Sequence, residues 1–137
     1  MIVSLHIASG AAVGLAARSR GAAIVLGALT HVLGDRVPHW DIPDRRFEIW
    51  SGAAALTAVA VRRGPFDAAT IGAAAGSAPD IEHVIRLPRP GGRKLFPSHR
   101  IRGWHRSGGL SESVQLLAAG ILLGFVLASP RPTDRGL

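Results

Sequence analysis

The chain of 137 residues contains no cysteine. Disulfides and thiolate metal sites are thereby excluded, and any metal would have to be held by histidine nitrogens and carboxylate oxygens. Aromatic residues are only 5% of the chain. Alanine, glycine and aliphatic residues must then supply the packing, which favours helices pressed backbone against backbone. No apolar run reaches the ~20 residues of a standard membrane-spanning helix, although three come close when their flanks are counted. The motifs HExxH and GxSxG, the phosphate-binding P-loop and the cysteine zinc patterns are all missing. The N-terminal segment has no basic stretch before its apolar run and does not read as a cleavable signal. Acidic residues are scarce, nine against sixteen Lys+Arg, which leaves a net charge of +7. Fifteen of those cations are arginine. Such an excess suits an anionic partner: lipid headgroups, phosphate esters or nucleic acid.

Five apolar segments are present, at about Ile2–Ala17, Ala22–Leu33, Phe47–Val61, Ala68–Ala78 and Val114–Ala128. Their length, their Ala/Leu content and the lack of period-two alternation favour helix. Asp67 and the pair Ser111–Glu112 stand where capping and first-turn residues belong. The pattern predicts one all-α domain over residues 1–129, a five-helix up-down bundle of short Ala/Gly-rich helices, embedded in or associated with a membrane. Residues 130–137 read as a disordered tail.

In an up-down bundle the chain start, the second connection and the fourth connection lie at one end. All six histidines fall on or beside that end: His6, His31, His39, His83, His99 and His105. Asp35, Asp41, Asp80 and Glu82 join them there, while the other end carries arginines and no histidine.

Three clusters stand out. His31 and Asp35 are four apart and share a helix face, and Pro38 turns the chain so that His39 and Asp41 can fold back. Asp80 and His83 can meet across one turn after Pro79. His99 and His105 lie in a basic loop whose arginines, Arg100, Arg102 and Arg106, have the fork geometry to hold phosphate oxygens. Each cluster also has an ordinary reading as a solvated helix end, a turn or a basic loop. His6 sits inside an apolar segment, where a histidine is either a buried hydrogen-bonded group or, in a membrane helix, functional.

These residues resemble the small bacterial membrane-bound metal-dependent hydrolases of the YdjM type. His6-Ile-Ala-Ser-Gly10 is similar to that family's opening, and Pro79-Asp80-Ile81-Glu82-His83 matches its Pro-Asp-Ile-Asp-His with one Asp-to-Glu change. His99-Arg100 with Arg102 to Ser107 resembles its His-Arg-Gly-x-Thr-His-Ser, with one extra residue between the histidines and no threonine. His31-x-x-Gly-Asp35 followed by Pro38-His39 is similar to a segment of the all-α zinc-dependent phospholipase C and single-strand nuclease superfamily. Both resemblances imply a divalent-metal hydrolase.

The expectation is a metal-dependent hydrolase at the membrane, acting on a phosphoester such as a phospholipid. Its metal ligands would be His6, His31, Asp35, His39, Asp80, His83, His99 and His105. Glu82 or Asp41 would act as base, and Arg100, Arg102 and Arg106 would hold the substrate. Zinc is the first choice of ion, with manganese or iron as alternatives. The basic residues place the site on the cytoplasmic side of a bacterial inner membrane. Two rival readings stay open: a non-catalytic metal-binding membrane protein, and a basic helical module for nucleic acid or anionic lipid.

Overall fold

The computed structural model describes residues 1–17, 19–85 and 87–131. Most of the tail expected after Pro130 lies outside the described residues. Five helices carry the fold: α1 (Val3–Ala16), α2 (Arg20–Gly34), α3 (Arg45–Arg63), α4 (Ala68–Ser77) and, last in the chain, α7 (Glu112–Ala128). After α4 come a 3₁₀ turn (Ala78–Asp80) and two single-turn helices, α5 (Ile81–Val84) and α6 (Pro97–Arg100), with a further 3₁₀ turn (Pro90–Gly92) between them. No strand is present among the described residues. The architecture is all-α.

Side-chain caps set the starts of four helices. Ser19 accepts from the Ala22 amide, Asp44 from Arg46 and Phe47, Asp67 from Ala69, and Ser111 from Val114. Each satisfies donors that the first turn leaves without a partner.

The centre is a seam of small residues. A Cβ added to Gly72 of α4 would stand 2.3 Å from the Gly10 carbonyl oxygen of α1, and one added to Gly27 of α2 would stand 2.4 Å from the Gly72 oxygen. The backbones of α1, α2 and α4 thus meet with no side chain between them. Around this seam Ile7, Ala11, Val59, Ala73 and Val126 form one core cluster, and Ile2, Leu5, Ala8 and Ala119 a second.

Pairings fix the helix directions. Gly10 faces Gly72 while Gly14 faces Ala68, so α1 and α4 run antiparallel. The Ile2 amide donates to Gln115 and the Val3 amide to Glu48, which puts the starts of α7 and α3 beside the start of α1. Arg62 donates to the Leu127 carbonyl, closing the ends of α3 and α7 together. The starts of α1, α3 and α7 therefore share one end of the bundle with the ends of α2 and α4.

Membrane-spanning helices, expected from the apolar segments, are not supported: among the described residues no helix is long and apolar enough to cross a membrane. Helices α1, α2, α4 and α7 have 14, 15, 10 and 17 residues, and α3, with 19, holds Arg45, Arg46, Glu48, Arg62 and Arg63. At 1.5 Å per residue the shorter ones fall below the ~30 Å hydrocarbon thickness. The surface nevertheless exposes large apolar side chains, among them Trp50 at 73%, Val61 at 76% and Phe66 at 71%.

Candidate metal centre

The histidine-rich end is built from both helices and loops. His6 comes from the first turns of α1, His31 from the last turns of α2, and Asp35 caps α2. Past Pro38 the chain turns, and His39 pairs with the segment before α7. Its amide donates to the Arg106 carbonyl and its own carbonyl accepts from Gly108. Asp80 ends the 3₁₀ turn, His83 lies on α5, His99 on α6, and His105 in the loop that follows.

All eight residues expected to ligate a metal fall into four overlapping groups whose ligand atoms lie within 4.8 Å of one another. His6, His31 and Asp80 form one; His31, Asp35 and His99 another; Asp35, His39 and His105 a third; Asp80, His83 and His99 the fourth. Asp35 links the second and third. Its Oδ2 lies 3.2 Å from His31 Nε2 and 3.7 Å from His99 Nε2, and its Oδ1 lies 3.1 Å from His6 Nε2. The Met1 amine stands 3.0 Å from the same Oδ1 and also contacts His39 Nε2.

Three rings are held through Nδ1, so that Nε2 faces the cluster; His39 Nε2 there meets the Met1 amine and, at 2.8 Å, His105 Nε2. His31 Nδ1 donates to the Gly76 carbonyl at 2.9 Å, and His39 Nδ1 to the Val37 carbonyl at 2.6 Å. His99 Nδ1 donates to Glu82 at 2.5 Å. Carbonyls and an ionised carboxylate only accept, so each Nδ1 carries a proton and each Nε2 can present its lone pair. Such outer partners are the usual means of fixing a ligating histidine.

Burial without partners marks the same place. Among the described residues, His6 Nδ1 and Asp80 Oδ2 are buried without a hydrogen-bond partner, and His31 Nε2 and Asp35 Oδ2 have none beyond their 3.2 Å approach to each other. An unsatisfied buried polar atom costs about 1–3 kcal/mol. A nitrogen- and oxygen-only donor set with these atoms facing inward fits a divalent cation.

The titration behaviour is unusual. Burial raises the Asp80 carboxyl to about 7 against the favourable charge of His31. Burial lowers His6 to about 3. Desolvation in the cavity wall, with Lys94 and His99 near, lowers His83 to about 4. Burial opposes the charge on His31, but Asp35 and Asp80 outweigh it and raise the ring above its ordinary value. Burial likewise opposes the charge on Asp35, yet the His31 and His6 rings hold it ionised well below the carboxylate range.

A cavity of about 890 Å³ opens over the cluster. Asp35, Asp41, Asp80, His83, His99 and His105 line it, whereas His6, His31 and His39 sit behind, fully buried. The two candidate bases differ in place. Glu82 is buried with both oxygens engaged, Oε1 by His99 and Oε2 by the Leu95 amide. It does not line the cavity; it orients His99. Asp41 does line it, with Oδ1 3.3 Å from His39 Nε2 and Oδ2 3.7 Å from His105 Nε2.

The arginines expected to hold substrate also lie elsewhere. Arg102 and Arg106 are exposed and line neither cavity, and Arg100 borders a smaller adjoining one with Arg93 and Lys94. Among the described residues, the arginine and lysine that line the main cavity are Arg45 and Lys94.

Sequence reasoning missed Glu48, Gln115 and these two cations. Glu48 fastens the start of α1 and lines the cavity. Gln115 accepts from Ile2 and donates to the Trp40 carbonyl, locking α7 to the loop after His39. Glu48, Arg45 and Lys94 lie in charged stretches and Gln115 just after Ser111-Glu112-Ser113, so no local pattern singles them out. Comparison with family models, with curated proteins and with solved structures finds nothing that matches this chain.

Proposed function

We propose that this protein is a divalent-metal-dependent hydrolase that acts on a phosphoester at a membrane surface. One observation carries the reading. The Nε2 atoms of His31, His39 and His99 gather around Asp35, each ring fixed through its Nδ1 by a carbonyl or by Glu82. His31, Asp35, His99 and Asp80 would hold one ion. Asp35, His39 and His105 would hold a second. His6 backs Asp35, and His83 stands beside Asp80. A bound zinc, manganese or iron ion would lower the pKa of water toward neutrality and stabilise charge on a phosphoryl oxygen.

The chain's own residues supply the rest. Asp41, exposed on the cavity wall between His39 and His105, is placed to take a proton from attacking water. Arg45 and Lys94 meet the negative charge of the substrate. The YdjM-type resemblance supports the reading, since its Pro79–His83 stretch forms the turn that delivers Asp80 and His83. Exposed apolar side chains together with the arginine excess favour attachment to an anionic membrane face, which in a bacterium is the cytoplasmic side of the inner membrane.

The test is elemental analysis of the purified protein beside Asp35→Ala, followed by a phosphomonoester and phosphodiester screen with each ion. Near-stoichiometric metal lost in the variant, with hydrolysis that follows metal content, is the expected outcome. Protein that takes up none of the ions would sink the reading.

A further inference from the structure

The cavity has two unlike arms. Its polar arm is the cluster already described, with Arg45 and Lys94 at the side. The other arm runs between α1, α3 and α4 and is walled by Val3, Ile7, Ile49, Ala53, Leu56 and Ala74. Among the described residues, the charged group beside these walls is Glu48, at the entrance. From Glu48 to Leu56 it follows α3 for about 12 Å at 1.5 Å per residue. Small residues make the space: Ala53 and Ala74 are exposed to it, and Gly52 keeps α3 close to Val3, where a Cβ would meet Val3 Cγ1 at 2.6 Å. A phosphoester hydrolase for small polar substrates has no use for such an arm. Beyond Glu48 and Ser77 water there finds few polar side chains, so an apolar occupant along the aliphatic walls gains by displacing it.

We propose that this arm is a channel for one hydrocarbon chain, so that the substrate is a single-chain amphiphile. Its anionic head rests among the histidines, Arg45 and Lys94, and its tail lies between α1, α3 and α4. The head placement rests on the hydrolase reading above; the tail channel does not. Charge and polarity match along the whole length. Cations and metal ligands meet the head, and aliphatic walls meet the tail. Depth is set by Leu56, and bore by Ala53 and Ala74.

Linear alkylphosphonates from methyl to decyl, kept below their micelle concentrations, test this by calorimetry on the metal-loaded full chain. Affinity should rise roughly two- to fourfold per methylene and level off once the channel is full. Ala53→Phe and Ala74→Phe place a ring into the open arm and should flatten the rise after the shortest chains. Their metal content should stay that of the parent, which also reports an intact fold. Affinity that does not depend on chain length overturns the channel. So does a rise that both variants leave unchanged, because the tail then lies on another apolar surface. Decyltrimethylammonium binding as tightly as decylphosphonate would overturn the anionic head. A length series that persists in protein unable to take up metal would remove the hydrolase reading and leave the channel standing.

Discussion

Two regions of the molecule deliver the candidate ligands by opposite means. The α1–α2–α4 triplet is closed by backbone contacts at Gly10, Gly27 and Gly72, and it supplies His6, His31, Asp35 and, through the turn after α4, Asp80. The segment between α5 and α7 has only single-turn helices, and it supplies His99 and His105. It is fastened at separate points. Glu82 binds His99 and Leu95, Trp104 Nε1 donates to the Val32 carbonyl, and Arg36 donates to the Gly103 carbonyl while lying 5.4 Å from the Trp104 ring centre. The first region fixes ligands through packing that tolerates no added atom. The second fixes them through a few hydrogen bonds, each of which can be removed alone. The candidate ligands are thus held half by packing and half by tethers.

The sharpest break of the contrast is in the seam. Gly72→Ala forces a Cβ against the Gly10 carbonyl and should cost about 3 kcal/mol or more, read as a fall in the denaturant midpoint. Gly120→Ala in α7 meets nothing within 4 Å and should stabilise by roughly 0.5–1 kcal/mol. Equal effects at the two sites would mean that the seam is not as tight as described.

Removal of the tether should act on metal binding and leave the fold. Glu82→Gln loses the charged partner of His99 and should weaken metal affinity about 10–100-fold, with little change in thermal unfolding of the metal-free protein. Equilibrium metal titration by competition with a chelator measures it. An unaltered affinity would show that His99 is not a ligand.

Protons should compete with metal in a defined window. Asp80 is raised to about 7 and His31 above its ordinary value, and both must lose a proton to ligate. Metal affinity should therefore fall as pH drops through 7. In the metal-free protein these two groups have the opposite sign. From pH ~6.5 upward, where unperturbed histidine is half titrated, the folded chain holds more protons on Asp80 and His31 than the unfolded chain does. Their contribution to stability should decline as pH rises toward 8, while the depressed His6 and His83 add stability over the same range as unfolded histidine loses its proton. Asp80→Asn should reduce that decline by on the order of 1 kcal/mol, measured as thermal midpoints at pH 6.5 and 8, while abolishing the gain from metal. A decline of unchanged size would remove Asp80 from the account.

Loss of a single tether should act locally. Trp104→Phe loses one hydrogen bond to Val32 and should cost about 1 kcal/mol, with faster amide exchange confined to the loop that carries His105.

Much of this was legible in the chain itself. Period and composition located all five long helices, because Ala/Leu-rich stretches bounded by Asp67 or Ser111 have one reading. The gathering of six histidines at one end followed from helix count alone, since each helix reverses the chain. The ligand types followed from the absence of cysteine. The tertiary structure decided what depends on contacts distant in sequence. It turned Glu82 from a candidate base into the holder of His99, because burial and the Leu95 amide consume its second oxygen. It moved the cavity's cations from Arg100, Arg102 and Arg106 to Arg45 and Lys94, because a loop's direction is set by what it docks on and leaves no periodic trace. It also set which histidine nitrogen faces the centre, through carbonyls of Gly76 and Val37 that no side-chain pattern reports. Local sequence fixes helices because their hydrogen bonds are local; ligand geometry and the apolar arm arise only where helices and loops meet.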